Sequence, residues 1–144
     1  MKKSVYGRKL GRTSNQRKAL FRSLISCLVE KGKVKTTLAK AKAVKGQAER
    51  LITKAKKGSL NDRRIILRFL NKKSLVDRLV DGITPNLAER HSGYLKILKL
   101  ERRKGDDAVM ALLSFVDELP VIEKPEKKVI KKVVDEKKVA EAKK

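Results

Sequence analysis

The chain has 144 residues, room for one domain and an appendage, which excludes a multidomain enzyme. Thirty-nine Lys and Arg face 16 Asp and Glu, a formal charge of +23, so the expected partner is a polyanion; no apolar run approaches a bilayer span, which favours nucleic acid over membrane. One cysteine and one histidine exclude an intrachain disulfide and a Cys/His zinc site, and aromatic residues make up only 3% of the chain, so backbone electrostatics is expected to outweigh base stacking.

The first segment, residues 1–12, holds Lys2, Lys3, Arg8, Lys9 and Arg12 without an apolar period, so it is expected to be an extended basic arm, disordered alone. The charges that follow Met1 exclude a secretory signal, which predicts a cytoplasmic protein. Thr13 followed by Gln16 has the spacing of a capping box, and a helix is expected over Ser14 to Lys31. Its apolar positions Leu20, Phe21, Leu24, Ile25, Leu28 and Val29 recur at three and four, while Arg17, Lys18 and Arg22 fall largely elsewhere.

Gly32 is a C-cap, and Lys33 to Thr37 alternates with β-branched residues as a short strand does. Thr37 is expected to cap a second helix to Lys57, with Ala41, Val44, Ala48, Leu51, Ile52 and Ala55 on one stripe and Lys40, Lys42, Lys45 and Arg50 off or beside it. Gly58 ends it; Ser59 and Asp62 suggest the cap of a third helix carrying Ile65, Ile66, Leu67, Phe69 and Leu70. A fourth helix is expected over Ser74 to Asp81, then a loop from Gly82 to Gly93 containing Pro85. Tyr94 to Leu100 and Ala108 to Val116 are two strands of a hairpin. From Pro120 to Lys144 the composition turns to Lys, Glu and Val, a low-complexity tail that can be helical between Glu126 and Ala142. The predicted fold is α+β: two layers, helices on a small three-stranded mixed sheet, in the order α-β-α-α-α-β-β, with a globular domain over residues 13–119.

Charge is concentrated at the front. Residues 1–58 hold 18 basic and 2 acidic side chains (+16), residues 59–119 hold 12 and 9 (+3), and residues 120–144 hold 9 and 5 (+4). Lysine on a helix is ordinarily just a solvated face, but a surplus of this density within 58 residues leaves self-repulsion that phosphates would neutralise. The helix start with its free amides, joined to Arg8, Lys9, Arg12, Arg17, Lys18 and Arg22, is the main expected nucleic-acid contact. Arg102, Arg103 and Lys104 at the hairpin tip form a second, smaller one.

Other chemistry finds no support. Gly7 to Thr13 is one residue short of a phosphate-binding loop, has Arg where that loop needs Lys, and follows no strand. Asp106-Asp107 fits turn chemistry, His91 has no partner at catalytic spacing, and Cys27 lies among apolar residues as a small hydrophobe would. No cofactor, metal, catalytic residue or small-molecule substrate is expected. The charge alone leaves RNA binding beside three alternatives: an architectural DNA-binding protein, which the same charge permits, an RNA-modifying enzyme, which would need a convergent acid, base or cofactor constellation, and a basic helical protein at an anionic membrane.

Gly7-Arg8-Lys9-Leu10-Gly11-Arg12-Thr13-Ser14, Arg17-Lys18-Ala19, Val34 to Lys42, Leu51 to Gly58, and the pair Gly93 to Leu100 and Arg102 to Asp106 resemble, in this order, motifs of the L-seventeen family of bacterial large-subunit ribosomal proteins. The likeness runs from Gly7 to Val116. It implies a compact domain bound to large-subunit ribosomal RNA near the exit of the nascent-peptide tunnel, one copy per ribosome, with neighbouring ribosomal proteins as partners and no catalysis. Thr13, Ser14, Lys35, Thr36, Thr37, Lys40 and Lys42 within these motifs, with Lys33 beside them, complete the residues expected to bind RNA. Gln16, Ala43 and Lys45-Gly46 depart from the family's common residues, so no family contact is transferred to them, and the tail after Pro120 lies outside the likeness.

Overall fold

A computed structural model describes residues 7–117; Lys2, Lys3 and the tail over 120–144, with its expected helix, lie outside the described residues. The elements are α1 (Ser14–Lys31), β1 (Lys33–Thr37), α2 (Leu38–Lys57), α3 (Leu60–Leu70), α4 (Lys73–Asp77), β2 (Leu95–Arg102) and β3 (Val109–Phe115). Between α4 and β2 the chain keeps winding, through a wide π turn at Arg78–Ile83 and a tight 3-10 turn at Thr84–Leu87.

Local chemistry sets most boundaries. Thr13 Oγ1 accepts from the Gln16 amide at 3.5 Å while Gln16 Oε1 accepts from the Thr13 amide at 3.2 Å, closing the capping box. Gly32 and Gly58 end α1 and α2 in the left-handed region, at φ 73° and 65°, where any Cβ would be strained. Ser59 Oγ accepts from the Asp62 amide at 3.1 Å and starts α3. Thr37 precedes α2 but makes no side-chain cap bond, in contrast to the expectation from its sequence position. Strand β1 runs directly into α2, so Thr37 serves as a ladder residue as well as a helix start.

The sheet order is β1-β3-β2, and both neighbours pair antiparallel to β3. The sheet is therefore antiparallel throughout instead of mixed: β3 returns from β2 as a hairpin, and on its other edge it also runs opposite to β1. Val34, Leu95, Ala111, Leu113 and Phe115 point from the sheet into a core shared with Ile25, Leu28 and Val29 of α1, Ala41, Val44 and Ala48 of α2, and Ile66 and Leu70 of α3. On the other face, register aligns Lys33, Ser114 and Lys96 in one row and Lys35, Leu112 and Leu98 in the next. Helices thus cover one face of the sheet, as the two-layer reading expects.

The expected loop over Gly82 to Gly93 is the main difference in this part of the chain. Ile83 and Leu87 are buried, which rewards continued winding, and Pro85 at the start of the tight turn has its ring where a helical first turn tolerates it. Thr84 Oγ1 donates to the Leu79 carbonyl at 2.7 Å and holds the wide turn. Arg63 of α3 clamps the same turn through Asp81 at 2.5 Å; this bond holds the Arg63 guanidinium above its usual range.

Candidate nucleic-acid interface

The basic front of the chain folds onto the helix layer. Leu10 and Gly11 both have positive φ, 56° and 62°, and the Arg12 amide donates to the Lys9 carbonyl at 3.2 Å, so the end of the arm is a tight turn and not an extended strand. Arg17 locks it: one guanidinium nitrogen donates to the carbonyls of Lys9, at 3.4 Å, and Arg12, at 3.3 Å. The arm's Arg8 and Lys9 are thereby held over the groove between α1 and α2.

That groove is a cleft of about 500 Å³. Arg8, Lys9, Arg17, Lys42, Arg50 and Lys54 line it with Gln47, over a floor that includes Phe21, Ala43 and Leu51. Among the described residues, Lys54 is the only one of these six cations with a carboxylate in reach, Asp62 at 3.8 Å. Lys42, Gly46, Arg50 and Lys54 fall four apart on α2, so the helix aims one row into the cleft. Gly46 is exposed in the interior of this 20-residue helix, where glycine costs about 0.5–1 kcal/mol relative to alanine. Arg8 and Lys42 also line an adjoining groove with Thr37, Ala108 and Val109, so the positive surface continues toward β3.

The residues expected to bind RNA are thus not brought to one place. Arg8, Lys9, Arg17 and Lys42 converge on the cleft, and Thr37 lies beside it. Arg12 folds its guanidinium back onto the Leu10 carbonyl at 2.8 Å, Thr13 is spent on the cap, and Ser14, Lys18 and Lys40 do not line the cleft. Arg22 turns away and donates to the Phe69 carbonyl at 2.6 Å. Thr36 points into the core because strand alternation sends it inward with Val34, whereas Lys33 and Lys35 stand on the opposite, outer face. Lys35 shares a separate groove with Arg102, Arg103, Lys104 and Met110.

The hairpin tip is largely self-neutralised. Arg103 pairs with Asp106 at 2.5 Å and Arg102 with Asp107, so Glu101 to Asp107 carries three cations and three anions. The Arg103 hydrogen bond holds the Asp106 carboxyl down at about 2 and the guanidinium above its usual range. Sequence reasoning did not place Arg50, Lys54 and Gln47 in the interface. The signal for them is the spacing of Lys42, Arg50 and Lys54, eight and then four residues apart on one helix row. Among the described residues no three His, Cys, Asp or Glu side chains cluster as metal ligands would.

The pattern of the family described as Ribosomal protein L17 matches residues 20–116. The chain is 46% identical over 127 residues to a "Large ribosomal subunit protein bL17" of Thermodesulfovibrio yellowstonii, covering 88% of this chain and 92% of that one. A protein of the same name from Campylobacter lari is 46% identical over 109 residues, 76% of this chain and 93% of the relative. Another, from Finegoldia magna, is 42% identical over 124 residues, 86% and 95%.

Proposed function

The chain belongs to the ribosomal protein L17 family, and from that membership we propose that it is a structural, non-catalytic constituent of the large subunit of the cytoplasmic ribosome that holds folded ribosomal RNA. The observation that carries the RNA reading is the α1–α2 cleft, six cations against a single facing carboxylate among the described residues. Such a surface is neutralised by phosphates, with Arg and Lys positioning the protein and RNA shape supplying specificity. On the same reading the protein sits near the exit of the nascent-peptide tunnel, one copy per ribosome, and its likeness to the family supports that position. The outer sheet face, where Leu98 is 48% exposed beside Leu112 and Lys35, is suited to a neighbouring ribosomal protein.

Sedimentation of gently lysed cells tests the assignment. The protein should travel with large subunits and whole ribosomes; recovery with chromosomal DNA would favour the architectural DNA-binding alternative. For the RNA contact, neutralising about 8 phosphates predicts that log affinity falls against log salt with a slope of about −6 to −7, and a slope near −1 would defeat it.

A further inference from the structure

The α1–α2 cleft combines features that a purely phosphate-binding surface does not need. It is concave, and Phe21, Gln47 and Leu51 line it between the cations, Phe21 half-buried and Leu51 buried. A paired RNA helix offers such a surface its backbone, its 2′-hydroxyls and the base edges of its minor groove, but no free ring face that would enter an apolar floor. The exposed Gly46 is the second observation. Its helix would be more stable with alanine there, and a side chain at that point would stand in the row that Lys42, Arg50 and Lys54 aim into the cleft.

We propose that the cleft receives one unpaired nucleotide extruded from the RNA, its base entering over Gly46 onto the Phe21 and Leu51 floor. The amide of Gln47, both donor and acceptor, meets the base edge, and Arg8, Lys9, Lys42 and Arg50 hold the flanking phosphates. This inference rests on the RNA-binding reading above and specifies what that site takes. Gly46 is a positioning residue: it leaves room and makes no bond.

The test is chemical probing of full-length large-subunit ribosomal RNA bound by the full-length protein, with base-edge reagents for all four bases and hydroxyl radicals for the backbone. With the unaltered protein, one unpaired base should be protected within a backbone footprint. Gly46→Ala should raise the thermal midpoint by about 2–6 °C and Gly46→Leu should fill the cleft; each should remove that base protection, keep the backbone footprint, and weaken binding about tenfold. Free nucleoside monophosphates should not compete; competition would mean the cleft takes a free nucleotide and would overturn the proposal. A backbone footprint with no protected unpaired base, or protection unchanged in both variants, would overturn the extruded nucleotide and leave RNA binding standing. Absence of any footprint would overturn both.

Discussion

Arg22 Nε donates to the main-chain carbonyl of Phe69 at 2.6 Å, so a cation in the basic first helix serves to fasten α1 to the end of α3. Phe69 lies in the last turn of α3, where carbonyls have no partner within the helix. Arg22→Ala should therefore lower unfolding free energy by about 1–2 kcal/mol, allowing for its partial exposure, and should leave the salt slope of RNA binding unchanged. Denaturant melts and a salt titration of the same variant separate the two roles. Full stability with a shallower slope would return Arg22 to the RNA surface.

Lys56 has a comparable internal task at the other end of the helix layer. Its ammonium donates to the carbonyls of Ala88, at 3.0 Å, and Arg90, and lies 5.6 Å from the centre of the Tyr94 ring. Tyr94 is itself buried, with its hydroxyl donating to the His91 carbonyl at 2.9 Å. Lys56→Met keeps most of the apolar stem and removes the donor. It should cost about 1–2 kcal/mol of stability and accelerate amide exchange in the segment over 88–94, read by hydrogen exchange. An unchanged exchange pattern would show that the ammonium is idle.

The tasks of these two cations are set by the tertiary fold and not by local sequence. Patterning placed α1 and the boundaries of α2, because capping chemistry at Thr13 and left-handed glycines at 32 and 58 are local. Local pattern also gave the buried stripe of α2 and the three strands. It could not say that Arg22 and Lys56 face carbonyls 47 and 32 or 34 residues away, since those partners meet only after folding. For the same reason Arg50 and Lys54 went unassigned: their significance depends on the arm folding back over α2 through Arg17. The winding between Gly82 and Leu87 was hidden by Pro85, a breaker by composition that here sits in a permissive first turn.

Acid should act on the hairpin tip at low pH. Asp106, held at about 2 by the Arg103 guanidinium, is depressed from an unfolded value of about 3.9. A carboxyl lowered on folding contributes stability that is fully present above the unfolded value and is lost as pH falls from there through about 2. The side-chain carboxyl resonance of Asp106 should therefore titrate with a midpoint near 2, and Arg103→Gln should move it up toward the ordinary carboxylate range. Asp117, lowered by its 2.7 Å bond from Arg90, should keep its own midpoint in that variant. A midpoint for Asp106 near 4 in the unaltered protein would mean that the ion pair does not persist in solution.

The same pairing predicts an asymmetry between the two basic surfaces in RNA binding. Lys42 and Arg50 line the cleft without a facing carboxylate among the described residues, so each is available to displace counterions from phosphate. Replacing either with alanine should reduce the magnitude of the salt slope by about 0.7–0.9 and weaken binding to every RNA tested. Arg103 and Asp106 already neutralise one another, and the double change Arg103→Ala with Asp106→Ala alters no net charge at the tip. Its slope should match that of the unaltered protein. If the double variant loses slope while Lys42→Ala and Arg50→Ala do not, the RNA lies along the hairpin, and the cleft between α1 and α2 has been given the wrong partner.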